Sequence, residues 1–420
     1  MQPVSRPPIA IFLQQHVDEA VALRAMRSAL LRSPHVKLQH LSQADDRLAA
    51  HLDGVAIAGS AGRALCEAAL ESPSPDVIFV AATAAIGSKH WDRLESLFAV
   101  GEALDDSRGL LSAFGWLEPE DLRGVAASLL RSSNPVRRFA GIAACAMHRV
   151  DPGLVSARRL EDPDSLVRAR AWRTAGELGK HELASRAAAI GDEHPACRFW
   201  AAWSAVLLGN RGPALELIAA AATVPGPFEP RALQLAIQAM DVATARELLN
   251  SIAPDPAKLR RLIRGCGLAG DPVYVPWLLD SIANPRVARL AGEAFSFVTG
   301  VDLMALHLDC TAPEGFASGP NDDPADSNVD LDEDDDLPWP DQRRVRAWWE
   351  ANSQRFQAGT RYFMGAPVTR ENCLRVLKEG YQRQRIAAAL YLSLLNPGTP
   401  LFEWRAPAWR QQQLRAQMSR

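Results

Sequence analysis

Two segments, NPVRRFAGIAACAMH at 134–148 and DPDSLVRARAWRTAGELG at 162–179, carry one arrangement of residue types. Val136-Arg137, Val167-Arg168 and Cys197-Arg198 open three copies of it, about thirty residues apart. Alanine follows at Ala140, Ala171 and Ala201, then at Ala144, Ala175 and Ala205, and Met147, Leu178 and Leu208 close the copies. Val287, Ala291, Phe295 and Val298 repeat the column without the arginine, so the pattern spans 134–302. Offsets of 4, 8 and 11 residues fall on one face of a helix. Prolines at 135, 163, 195, 230, 256 and 285 each stand near the start of the second helix of a unit. Unequal spacing of this kind is what a stacked array tolerates, because loops absorb insertions while the stacking face is kept. One unit has too little apolar surface to fold alone, and its neighbours cover both sides. Alanine on two successive inward turns lets helices approach closely, and the larger residue one turn on fills the gap between layers. The arginine after the first apolar residue lies near the layer boundary. There it can bond a carbonyl or an acid of the neighbouring unit.

The bulk properties agree with helix. The chain has 420 residues, 48% of them hydrophobic, with 11 Trp against 4 Tyr. Its text is rich in Ala and Leu and poor in Val/Ile alternation, which favours helix over sheet. A net charge of −3 supplies no global field for nucleic acid or anionic lipid, so neither is expected as a partner. Six scattered cysteines without C-x-x-C point to buried thiols in a reducing compartment rather than to disulfides or zinc. The opening MQPVSRPPIAIFLQQHVDEA has too short an apolar run for a signal peptide, and no run reaches eighteen apolar residues. A soluble cytoplasmic protein is expected.

Four regions follow in chain order: a helical N-terminal region (1–115), the repeat array (116–310), an acidic linker or loop (311–340) and a helical C-terminal cap with one further repeat-like unit (341–420). In the first, Asp18 to Leu31 predicts a helix ended by Pro34, and Ser42 predicts the N-cap of a second helix through Ile57. Shorter helices are expected near 62–71, 76–86 and 89–104, the middle one formed by the buried run VIFVAATAA. Trp116 sits at a helix end, and Pro119 fits the first turn of the next helix. The stretch TAPEGFASGPNDDPADSNVDLDEDDDLPWP (311–340) breaks the repeats. A helix then begins near Pro340 or Asp341 and carries Trp348, Trp349 and Phe356 with Arg343, Arg344, Arg346 and Arg355. The unit at 370–396 places Arg385, Ala388, Leu392 and Leu395 as in the repeat columns.

No string for covalent catalysis, a Walker A phosphate loop or a zinc protease occurs, so neither a catalytic residue nor a cofactor is assigned. Gly265-Cys266-Gly267-Leu268-Ala269-Gly270 has the spacing of a dinucleotide loop, but helix rather than strand precedes it, which predicts a turn between helices. Asp330, Asp332 and Asp334 are spaced like calcium ligands, yet Asp335 stands where the loop needs glycine. A solvated acidic loop, or one docked on a basic partner or on the basic helix at 343–355, fits better; no metal is assigned. The Trp348–Trp349 pair either seals the end of the array or anchors a partner. Together with Arg343, Arg344, Arg355, Arg168 and Arg173 it is the candidate protein-binding set. Arg158, Arg159, Arg168, Arg170 and Arg173 could also form a local basic patch.

The units at 134–148 and 162–179 resemble HEAT repeats, paired helices entered at Pro with Val-Arg and packing alanines. AGEAFSFVTGVDL (291–303), DLDEDDDLPWPD (330–341), WWEANSQRFQAGTRYFMG (348–365), QRQRIAAALYL (382–392) and LFEWRAPAWRQQQL (401–414) are similar to a bacterial HEAT-repeat family of conserved hypothetical proteins associated with type VI secretion clusters. The resemblance implies an all-α, HEAT-like α-solenoid and a non-enzymatic protein-binding scaffold, an accessory adaptor or chaperone for a secreted effector. Its implied partner is the effector, a spike or an adaptor component. An immunity protein that masks a toxin, or a HEAT-like enzyme such as a lyase, are the alternatives. Other HEAT-like proteins include bilin lyases, and the fold recurs in DNA glycosylases.

Overall fold

The computed structural model describes residues 9–151, 159–188, 191–316, 319 and 332–418. Among them are 21 α-helices, most packed against a neighbour in sequence. Strand is confined to two ribbons of two residues each, Asp309–Cys310 with Trp339–Pro340 and Tyr362–Phe363 with Ala366–Pro367. Five of the six cysteines are buried and all are free thiols.

The run VIFVAATAA forms the helix Pro75–Gly87, buried from Val77 through Thr83. Ser74 caps it, accepting from Val77 N, and Pro75 takes the first position, where no amide hydrogen is needed. Three expected boundaries move, the first being that of the opening helix, Ala10–Leu30, which begins well before Asp18. The second helix is Leu38–Ile57, so Ser42 lies inside it rather than at its cap. Val36 and Lys37, held by Tyr381 and Gln382, fix its start instead. Pro119 enters a turn, and the next helix begins at Val125.

The central repeats share a register of thirty residues. Pro135–Met147, Ser165–Glu177 and Pro195–Leu207 are each helices of 13 residues. Arg138 donates from Nη1 to the carbonyls of Ser132 and Ser133 and pairs with Asp162 at 2.7 Å. Arg168 repeats this on the carbonyls of Asp162 and Pro163 and on Asp192 at 2.7 Å. Arg198 repeats the carbonyl half, on Asp192 and Glu193. Each arginine therefore ties the loop before its own helix, and the first two also reach an acid in the next loop. The equivalent of Arg168 in the first unit is Arg138, not Arg137, so the sequence alignment of that unit slips by one residue. Arg137 instead pairs with Glu95 and stacks over Phe98.

A second regularity marks the other end of these helices. A residue with left-handed backbone follows the helix at Arg149 (φ 55°), Gly179 (68°), Gly209 (96°), Gly270 (67°) and Gly300 (73°). Two later passages of the chain cross these ends. Tyr362 N donates to Gly270 O at 2.8 Å, and Met364 N to Phe297 O at 2.7 Å. Arg361 reaches the carbonyls of Ala269 and Gln238, both at 3.1 Å. Further on, Pro397 lies on Gly209 and Gly398 on Gly179. Leu401 N donates to Glu177 O at 2.9 Å, and Arg149 Nε to Leu401 O at 2.7 Å. Arg410 completes the passage on the carbonyls of Gly115, Trp116 and Leu117. The last carbonyls of a helix have no partner of their own, and here a strap of distant chain supplies one. At Gly179 and Gly270 the strap comes so close that a Cβ would collide with its backbone.

The strap also joins the two ends of the molecule. Arg27 pairs with buried Asp45 and donates to the carbonyls of Arg405 and Ala406. Asp45 in turn accepts from Ala408 N at 2.6 Å. Between the two passages runs the helix Gln382–Leu395, buried along almost its whole length and packed on Glu229–Ala239. Its Arg385 is fully buried and donates to Leu377 O, Gln382 and Gln411. Burial without a carboxylate neighbour pulls this guanidinium down to about 10.

Candidate interaction surface

Counting back from the left-handed residues gives the geometry of one face. Arg170, Trp200 and Arg261 each stand nine residues before Gly179, Gly209 and Gly270. Arg173, Trp203 and Arg264 each stand six residues before the same glycines. Arginine or tryptophan thus stands at both places on these three helices, though the helix Glu229–Ala239 intervenes and Gly300 counts back to Ala291 and Ala294. Arg173 lies over the Trp200 ring at 4.6 Å and Arg231 approaches the same ring at 5.9 Å. Trp200 meets Trp203 and Phe228 edge-on. Arg405, on the strap, stacks over Trp404 at 4.5 Å. A guanidinium held flat on an indole is pre-organised for a planar oxyanion.

Acids pair with the counted arginines of this face, Glu229 with Arg261 at 2.5 Å among them. Glu177 is buried and shared by Arg170 at 2.6 Å and Arg173 at 2.8 Å. Those two guanidiniums, with Arg149 adding to them, hold its carboxyl well below the usual range despite burial. Glu403 pairs with Arg149 at 3.2 Å.

Further along, the described part of the acidic segment, 332–336, pairs with side chains outside the basic helix at 343–355. Glu333 pairs with Arg264 at 2.7 Å, Asp334 with Arg260 at 2.8 Å, and Asp332 with Arg289. Arg383 donates to Glu333 O at 2.7 Å and pairs with Glu293. Asp336 meets His35 at 3.3 Å. Arg264 holds the Glu333 carboxyl below its ordinary value. Of the calcium-like set, Asp332 and Asp334 are thus committed to arginines, and Asp330 lies outside the described residues. Among the described residues no group of three or more His, Cys, Asp or Glu could hold a metal ion.

The sequence-predicted set is dispersed. Trp348 and Trp349 are half-buried, both edge-on to Phe295 at 5.7 and 6.4 Å, so much of each indole is spent on the core. Arg343 is exposed, and Arg344 ties its own helix to His307 O and Asp309 O. Arg355 lies over Phe356 and donates to Asn352. Arg168 is the brace already described. Arg173 alone belongs to the arginine–tryptophan face, beside Arg231, Arg405, Trp200 and Trp404, which the sequence reading did not nominate. In the basic patch considered earlier, Arg159 joins Asp162 and Leu130 O, while Arg158 lies outside the described residues. The count back from Gly179 and Gly209 finds Arg173 and Trp200, whereas Arg231, Arg405 and Trp404 carry no such signal in the sequence.

Two other features bear on chemistry. Gly265 and Gly267 lie within the helix Leu259–Ala269 and Gly270 ends it. A Cβ on Gly267 would crowd Ala294, so these glycines serve close helix contact and not phosphate. A cavity of about 200 Å³ lies between His35, Asp302, Leu337 and Tyr381. Tyr381 donates to Asp302 at 3.2 Å, and burial and that carboxylate push its hydroxyl up to about 12. It stays a protonated donor there, with Lys37 Nζ 4.6 Å from its ring.

No described helix is long and apolar enough to cross a membrane. Comparison of the chain with protein-family models, curated proteins and solved structures finds no match.

Proposed function

We propose that this protein is a non-enzymatic, cytoplasmic protein-binding scaffold, an accessory adaptor or chaperone for a type VI secretion effector, built as a HEAT-like α-solenoid. The observation that carries the binding reading is the arginine–tryptophan face. Arg173 and Arg231 meet over Trp200, and Arg264, at the place in its helix that Arg173 occupies in its own, already holds a polypeptide, the acidic segment at 332–334. Trp200 and Trp203 are themselves buried, so the arginines above them present the surface, and arginine is a residue type that protein interfaces favour. Support for the solenoid comes from the thirty-residue register of Arg138, Arg168 and Arg198, in which the first two also tie their unit to the next. The assignment to secretion rests on the family resemblance of 291–303, 330–341, 348–365, 382–392 and 401–414.

The test is a pull-down with the full chain from a strain that is actively secreting. Recovery of an effector, spike or adaptor component is expected; recovery of none of them contradicts the reading. Deleting the gene should abolish delivery while leaving cells resistant to their sisters. Sensitivity to sister cells would instead mark an immunity protein.

A further inference from the structure

We propose that an acidic segment of the partner polypeptide docks on Arg173, Arg231 and Arg405, which lie over the buried Trp200 and the half-buried Trp404. The proposal rests on the protein-binding reading and adds to it the site and the chemistry recognised. Three observations lead there.

The first is convergence. Arg173 and Arg231 share the Trp200 ring, at 4.6 and 5.9 Å, and Arg405 stacks on Trp404 near enough for its charge to act on both. Elements distant in sequence, two helices and the strap, thus bring like charges to one place.

The second is lack of compensation. Among the described residues, neither Arg231 nor Arg405 has a carboxylate within ion-pair distance or a side-chain hydrogen bond. Both keep solvent-exposed surface, so a ligand can reach them. Burial of the rest of Arg231, then repulsion from Arg173 and Arg405, pulls its guanidinium down to about 10. Burial followed by Arg173 acts on Arg405 in the same direction. An anion seated between them would reverse the second of these effects, the repulsion.

The third is precedent within the chain. Arg264 occupies the place in its helix that Arg173 occupies in its own, six residues before the left-handed glycine. Arg264 holds Glu333, a carboxylate presented by a turn of the chain at 333–336 and not by a neighbouring helix. The same face therefore binds acidic chain at one end, while at the other Glu177 pairs with Arg173 and leaves Arg231 and Arg405 without an ion pair of their own. Guanidinium and carboxylate match in a planar, bidentate geometry. A polypeptide is favoured over nucleic acid because the occupant already seated on the face is one, and because the chain as a whole carries −3.

The test uses the full-length protein and a fluorescein-labelled hexaglutamate peptide, followed by anisotropy at low salt. Arg231→Gln/Arg405→Gln should bind roughly tenfold more weakly than wild type. Arg32→Gln/Arg123→Gln removes the same charge at two exposed arginines elsewhere and should bind like wild type. Equal weakening in both doubles, or undiminished binding to Arg231→Gln/Arg405→Gln, overturns the site. Tighter binding of an oligothymidylate of equal charge, lost in the same double, overturns the assignment to peptide. Removing mutual repulsion should leave the unfolding midpoint of Arg231→Gln/Arg405→Gln unchanged or raised, so misfolding is read separately. The pull-down then separates the two levels. Partner recovered equally by wild type and Arg231→Gln/Arg405→Gln sinks the site and leaves the scaffold. No partner recovered by wild type sinks the scaffold, while the peptide titration still decides the site's chemistry.

Discussion

The helices from Pro135 to Leu207 and the strap from Arg361 to Gln411 hold the molecule together by opposite means. In the first region each brace is local. Arg138 and Arg168 reach carbonyls five and six residues back and an acid 24 residues on. In the second, bonds join residues hundreds of positions apart, such as Arg27 to Ala406 O and Arg410 to Trp116 O. Local bonds set each unit against its neighbour. The strap sets all of them at once, because it crosses the ends of many helices, and it also carries Arg405 to the arginine–tryptophan face. Damage to a brace should therefore stay confined, while damage to the strap should spread.

Removing 397–420 makes the largest difference. It takes away the partners of the carbonyls of Gly115, Trp116, Leu117 and Glu177 and uncovers Val36, Leu38 and Leu41, which pack on Ala408. Loss of a single cooperative thermal transition is expected by calorimetry. A truncated chain that melts like the full one would break the contrast. Next comes Arg385→Ala, which leaves Leu377 O, Gln382 and Gln411 short of a donor in a buried place. The cost should be about 3 kcal/mol by urea denaturation, from lost hydrogen bonds and the cavity together.

A methyl group at Gly179 sharpens the contrast at one point. Gly179→Ala meets both a left-handed φ of 68° and the backbone of Gly398. About 2 kcal/mol of destabilisation is expected, against less than that for Gly87→Ala, where the backbone is helical and nothing lies within 4 Å of the added atom. Ala201→Leu tests the alanine contact inside the array. Ala201 is wholly buried, and overpacking there should cost about 1–3 kcal/mol.

The smallest effect is that of one brace titrated by pH. The Arg168 hydrogen bond holds the Asp192 carboxyl down at about 2, below its unfolded value. A depressed acid contributes stability that is present above its unfolded pKa and lost as pH falls through the folded one. Between about pH 4 and 2 the wild type should lose about 1–2 kcal/mol that Asp192→Asn does not lose. Parallel acid unfolding curves for the two proteins would contradict this.

The sequence made the local half of this contrast readable. Alanines 171 and 201 are fully buried, as their spacing predicts, because a helix face is a property of neighbouring residues. The arginine brace was readable as a type, though the unit at 135 was set one residue out: Arg137 and Arg138 are adjacent and only the bonding tells them apart. The strap was not readable. Its residues bond to distant carbonyls, and a carbonyl carries no side-chain identity. The candidate surface fails for the same reason. Arg173 could be singled out on its helix, but Arg405 arrives beside it only because the strap returns across the array. Trp348 and Trp349 drew attention by residue type, and the core takes much of that surface.

Amide hydrogen exchange at Tyr362, Met364 and Leu401 tests the strap most directly. None lies in a helix, yet each donates its N–H to a carbonyl of a distant one, Gly270, Phe297 and Glu177. Their amides should exchange about as slowly as those inside Pro195–Leu207, opening only when the whole molecule does. Exchange at the rate of an exposed loop would contradict the account.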